Sequence, residues 1–226
     1  MISAVARRVA RRPYLGDKRS SRSGSRAGTD AQMLAAIEGP AGSEWQRLSE
    51  EIRACTRCPL HRTRTQAVVY RGGPNPSLVF VGEAPGAEED RVGRPFVGRS
   101  GRLLDESVAG LGVAPDSVGI INLLKCRPPK NVFAERSVAE CGPYLGRQLT
   151  LLSPNVVVPL GAHALEALDP SAPRITDAAG RARTAGTWQL FPLLHPAAAL
   201  RSRRNLDRWR EDMGRLRAFL LAPANG

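Results

Sequence analysis

Short apolar runs recur along the chain, each bounded by glycine, proline or polar clusters, and amphipathic stretches of helical period fill the spaces between them. "SLVFVG" from Ser77, "SVGIINLL", "NVVVPLG" and "WQLFPLL" have strand length and are apolar at successive positions, the pattern of strands buried on both faces. In "SEWQRLSEEIRAC", Ser43 and Gln46 have capping-box spacing, while Trp45, Leu48 and Ile52 form one stripe that predicts a short helix delivering Cys55. A second helix is predicted in "SGRLLDESVAGLG", opened by Ser100 and closed by Gly112. Further helices are expected near residues 137–152 and 161–168, and in "NLDRWREDMGRLRAFLL", where Leu206, Trp209, Met213, Leu216 and Phe219 share a face. Strands alternating with helices imply an α/β fold with a parallel sheet covered on both sides. At 226 residues and 42% hydrophobic content, one main domain is expected.

That architecture gives meaning to three polar residues. Glu83 follows "VFVG", Asn122 follows "GII" and His195 follows "FPLL", each standing where an apolar run ends. Ligands of open parallel sheets bind beyond the carboxyl ends of the strands. Singly, Glu83 reads equally as a helix cap, Asn122 as a turn residue and His195 as a core histidine; their shared position argues for convergence on one edge.

The formal charge is +12, carried almost entirely by arginine, since Lys18, Lys125 and Lys130 are the only lysines. Such a balance points to a polyanionic partner, although arginine enrichment also follows from a GC-rich genome. Residues 1–30 hold eight basic side chains against Asp17 and Asp30. Rich in Arg, Ser and Gly, residues 1–42 are expected to form a disordered basic tail, readable as a transit peptide, a misassigned start or a DNA-tethering arm. Residues 43–222 form the expected domain. No secretory signal core and no membrane-length apolar run is present, so a soluble, intracellular protein is expected.

Four cysteines, Cys55, Cys58, Cys126 and Cys141, are spaced C-x2-C, a long gap, then C-x14-C. In a reducing compartment metal ligation is the better reading than disulfides. An iron-sulfur cluster tolerates dispersed thiolates, zinc prefers two tight knuckles, and plain buried thiols remain a third reading. Gly93, Gly98, Arg99 and Ser100 approach a phosphate-binding P-loop, but Arg99 stands where lysine is required, Pro95 offers no N–H, and no strand directly precedes the segment.

"CTRCPLHRTRTQAV", "VFVGEAPGAEEDRVGRPFVGRSG", "NLLKCRPPKN" with the later Cys141, and "LLHPAAALR" occur in this order. Together they resemble the family 4 uracil-DNA glycosylases, the iron-sulfur type, over about residues 44–220. The resemblance implies a three-layer α/β/α fold and a [4Fe-4S] cluster on the four cysteines. It implies stacking of the base on Phe96, recognition of uracil by Asn122 and a donor from His195 to the base O2. Glu83, with Glu89 and Asp90 of the "AEED" segment, is expected to steady the sugar cation or orient water. Gly82, Ala84 and Asn131 are expected around the substrate, and Arg99 and Arg201 on the phosphates, with Arg203 and Arg204 as further candidates. The implied reaction releases uracil and leaves an abasic site in base excision repair. Uracil-containing DNA is the expected partner of a monomer, a sliding clamp is a further candidate, and the competing reading is a non-catalytic iron-sulfur DNA-binding or electron-transfer protein.

Two features depart from the pattern. Ala84 occupies the place where other glycosylase branches carry a water-activating Asp, and "NVFAE" replaces the usual N-R-x-P continuation, keeping Asn131 but introducing Val132 and Phe133. A related branch that traps uracil covalently carries an extra basic loop with a histidine just after the Asn motif; none of the three histidines lies there, which disfavours covalent trapping.

Overall fold

The computed structural model describes residues 39–222. The basic tail expected over residues 1–42 therefore lies outside the described residues except at its last four positions. Six strands form one sheet in the order β1-β3-β2-β4-β6-β5: β1 is Arg71–Gly72, β2 Leu78–Gly82, β3 Val118–Asn122, β4 Val156–Pro159, β5 Arg183–Ala185 and β6 Trp188–Leu190. The four inner strands are parallel, and β1 and β5 pair antiparallel at the two edges.

Alternation along the inner strands fills both faces. Phe80, Ile120 and Val158 pack on one side against Leu104 and Val108 of α3 (Arg99–Ala109) and Trp209, Met213 and Leu216 of α8 (Arg203–Leu221). Their neighbours Val79, Val81, Ile121 and Val157 pack on the other side, against Trp45, Leu48 and Ile52 of α1 (Ser43–Ala54) and Leu145 and Leu149 of α4 (Glu135–Leu152). A strand with period-two side chains can be apolar throughout only when helices cover both faces, so the sequence pattern and the three layers have one cause. Burying each such side chain contributes roughly 2 kcal/mol. The C-terminal helix α8 opens at Ser202, whose hydroxyl accepts the Asn205 N–H at 3.2 Å.

Two helix boundaries differ from expectation. The cap of α1 is Gly42, whose carbonyl accepts the Gln46 N–H, so Ser43 is already helical and forms no capping box. Helix α3 begins at Arg99 after Gly98, one residue before Ser100, and ends three residues before Gly112, the left-handed residue of the turn that follows. Among the described residues no helix is long and apolar enough to cross a membrane.

Candidate active site

Strand register brings the polar residues together. Gly82 is the partner of Asn122 in the β2–β3 ladder, Val81 pairs with Pro159 of β4, and Leu160 bridges Leu193. Glu83, Asn122, Gly161 and His195 therefore leave the sheet at one edge, the carboxyl ends of four parallel strands.

Two glycines show how closely these groups meet. A methyl group at Gly82 would collide with both Asn122 Oδ1 and the Phe96 ring. At Gly161, where φ is +95°, it would strike Glu83 Oε1 and come within 3.2 Å of His195 Cβ. The Phe96 and His195 rings lie 5.7 Å apart between centroids, inclined at 32°. Asn122, Phe96, His195 and Glu83 thus form a continuous rim.

Asn122 is 1% exposed, yet neither its Oδ1 nor its Nδ2 has a hydrogen-bond partner among the described residues. Leaving both ends of a buried amide unpaired costs about 1–3 kcal/mol for each group. Phe96 is buried and holds φ at +55°, a left-handed conformation that side chains with a Cβ rarely adopt. Glu89 maintains it. One carboxylate oxygen accepts the N–H groups of Val97 and Gly98 at 2.9 and 2.8 Å, and the other accepts that of Gly86 at 3.1 Å, so the loop is tied on both sides of the ring. This corrects the expectation that Glu89 faces the sugar cation: its two oxygens are engaged by three backbone amides.

His195 precedes the short helix α7 (Pro196–Ala199). The Ala197 N–H donates to its Nδ1 at 3.1 Å, which assigns the proton of the neutral ring to Nε2. Burial holds the imidazole below the usual histidine range; Glu83 and Glu89 pull it upward, and Arg201 adds to the depression. The site therefore presents a neutral N–H donor. Glu83 Oε1 accepts the backbone N–H of His163 at 3.2 Å and lies 3.3 Å from its Nδ1, at the start of α5 (Ala162–Leu168).

The remaining expected residues fall in several places. Asp90, also buried, accepts the Thr65 N–H with both oxygens at 3.0 and 3.1 Å; it anchors the segment after Cys58 rather than facing substrate. Ala84 packs against the cysteine group instead of the rim. Asn131 closes a 3-10 turn, Pro129–Asn131. Arg99 starts α3 and is exposed; Arg201, Arg203 and Arg204 are also exposed, and Arg203 lies 4.0 Å from Asp207. His163 was not anticipated, although it follows "VVVPLG" much as His195 follows "FPLL", so the strand-end criterion applied to β4 finds it.

Cys55 caps the end of α1, Cys58 precedes the turn Pro59–Arg62, Cys126 follows β3 and Cys141 lies in α4; all four are free and line one cavity. Among the described residues no group of three or more His, Cys, Asp or Glu is gathered as a single metal ion requires. Four thiols lining one cavity are a donor set of the kind that both zinc and an iron-sulfur cluster use. Two cations border the cavity. Arg64 donates to Cys126 Sγ at 3.0 Å, and Lys125, 1% exposed, donates through Nζ to the Asn122 carbonyl. Burial pushes Lys125 down to about 8, with Cys141 and Cys126 opposing, and pushes Cys141 up to about 11 against the pull of Lys125. A buried ammonium among neutral thiols is unfavourable, whereas an anionic thiolate cluster would balance it.

The fold and the polar groups at the carboxyl ends of its strands define an α/β protein with a candidate site at that edge. Residues 69–215 match the family model of the uracil DNA glycosylase superfamily. The chain is 43% identical over 161 residues to a type-4 uracil-DNA glycosylase of Thermotoga maritima, covering 70% of this chain and 84% of that protein. It is 44% identical over 165 residues to the type-4 uracil-DNA glycosylase of Pyrobaculum aerophilum, covering 69% and 84%. A type-5 uracil-DNA glycosylase of Mycobacterium leprae is 30% identical over 163 residues, covering 57% and 71%. The chain belongs to the uracil-DNA glycosylase superfamily, on its type-4 branch.

Proposed function

We propose that this protein removes uracil from DNA by hydrolysing the N-glycosidic bond, leaving an abasic site for base excision repair. The observation that carries the reading is the buried, unpartnered amide of Asn122 on a rim shared with Phe96, His195 and Glu83.

A base within a duplex must be turned out of the stack, at a cost of about a few kcal/mol. Stacking on Phe96 offsets part of that cost. Asn122 Nδ2 donates to uracil O4 and Oδ1 accepts its N3–H; cytosine presents a donor and an acceptor in the reverse order, leaving both ends of the amide unpaired. His195 Nε2–H donates to O2. As the bond breaks its electron pair passes to the base, and this donor stabilises the negative charge shared between N1 and O2. The Glu83 carboxylate stabilises the electron-poor sugar and orients the water that adds to C1′, the proton of that water leaving to solvent and the uracil anion taking one up.

Cys55, Cys58, Cys126 and Cys141 would hold a [4Fe-4S] cluster, which supplies a redox-capable centre and ties α1, the Pro59–Arg62 turn, the segment after β3 and α4 together. Exposed Arg99 and Arg201 would meet DNA phosphates. All rim groups come from one chain, so the reading needs no second copy, and a DNA substrate fits a protein that works at the chromosome. The likeness to type-4 uracil-DNA glycosylases favours this reading over a non-catalytic iron-sulfur DNA-binding or electron-transfer protein. Incubation with a uracil-containing oligonucleotide and its thymine control, followed by alkali, is expected to cut only the uracil strand; equal cutting of both, or of neither, rejects the reading.

A further inference from the structure

Ala84 leaves the motif without the acid that would activate water, so the orientation of Glu83 matters more. Its Oε1 takes the His163 backbone N–H at 3.2 Å and lies 3.3 Å from the His163 Nδ1, while Oε2 has no hydrogen-bond partner among the described residues. The His163 ring is itself stacked on Phe133, with centroids 4.2 Å apart and planes within 16°. Phe133 belongs to "NVFAE", the segment after Asn131. A half-exposed imidazole would ordinarily sample several rotamers; a parallel aromatic neighbour restricts its plane and keeps Nδ1 beside the carboxylate.

We propose that His163 is the positioning residue for Glu83: its backbone N–H donates to Oε1, its imidazole, braced by Phe133, packs against that oxygen with Nδ1 3.3 Å away, and Oε2 is left for the attacking water. The inference rests on the role given to Glu83 above. It assigns the segment 131–134 a part in the chemistry, through a contact that crosses from the turn after β3 to the start of α5. His163 acts on substrate only through the carboxylate.

The test is single-turnover uracil excision by the full chain, with DNA affinity measured separately by fluorescence anisotropy. His163→Ala is expected to slow excision roughly tenfold while leaving the dissociation constant within about twofold, the signature of an interaction that matters in the transition state. His163→Asn, whose Nδ2 reaches the position of the imidazole Nδ1, should restore most of the rate. His163→Gln, whose amide lies farther out, should not. In a Glu83→Gln background His163→Ala should add little, since the cycle removes the same interaction twice. Phe133→Ala should slow excision in the native chain but not in the His163→Ala variant, and it provides a second approach should His163→Ala fold poorly. A wild-type rate for His163→Ala beside a slow Glu83→Gln overturns the inference, as do fully additive effects. A wild-type rate for Glu83→Gln overturns the reading of Glu83 on which it rests.

Discussion

The rings of Phe96 and His195 lie 5.7 Å apart between centroids, tilted by 32°, although one belongs to a loop after β2 and the other follows β6. By the proposed reading, a planar base resting on Phe96 would be carried to the imidazole edge. His195→Ala is expected to lower the excision rate about 10²–10³-fold, the usual effect of losing one preorganised donor to a developing anion. DNA affinity should change little; a loss confined to affinity would contradict the donor role.

The protonation state of His195 gives the pH dependence its sign. Its pKa is lowered in the folded chain by burial, so the unfolded chain binds the proton first as pH falls. Stability from this group is complete above the ordinary histidine value of 6.5 and is lost between that value and the lower folded one. Protonation also removes the Nδ1 acceptor for the Ala197 N–H. Excision should be level through neutral pH and decline in acid, and the pH slope of stability should diminish in His195→Ala; an equal slope in both proteins would assign it elsewhere.

Asn122→Ala separates folding from function. The substitution removes two unpaired buried polar atoms, so the midpoint of urea unfolding should stay level or rise. Uracil excision should fall about 10²-fold or more, two hydrogen bonds of about 1–1.5 kcal/mol each being lost. A marked loss of stability would show that the amide has a partner within the fold.

Glu89→Ala should destabilise the protein by about 2–4 kcal/mol, because three backbone N–H groups lose a charged acceptor and Phe96 loses its restraint. Glu89→Gln retains one acceptor oxygen and should be intermediate. Limited proteolysis within residues 86–98 is a direct readout; an unchanged cleavage pattern would be incompatible with a clamp.

Purified protein should be brown, with broad violet-range absorbance that disappears when any of the four cysteines becomes serine. Arg64→Met removes an N–H···S bond and should lower the reduction potential of the cluster without abolishing its colour. Colourless protein containing stoichiometric zinc would refute the cluster.

The inner strands were readable because burial on both faces leaves unbroken apolar runs, and the positions of Glu83, Asn122 and His195 follow from where those runs stop. The edge strands β1 and β5 were not: they are two and three residues long and include Arg71, Arg183 and Thr184. Arg71 is buried through its pair with Asp105, a contact no local pattern announces. The carboxylates of "AEED" look alike in sequence, yet Glu89 ties a loop and Asp90 holds Thr65, while Glu88 pairs with Arg91 in solvent. Only the turn of α2 (Ala87–Val92) separates these roles. The Lys125 link to the Asn122 carbonyl was hidden for the same reason, being set by the path of the chain after β3.

Gly82 and Asn122 are ladder partners, and this pairing makes the selectivity of the pocket a product of strand assembly. A slip of one residue would send the amide to the opposite layer and set the side chain of Ile121 beside Phe96. The mispaired molecule would carry no amide on the rim and so could not tell uracil from cytosine.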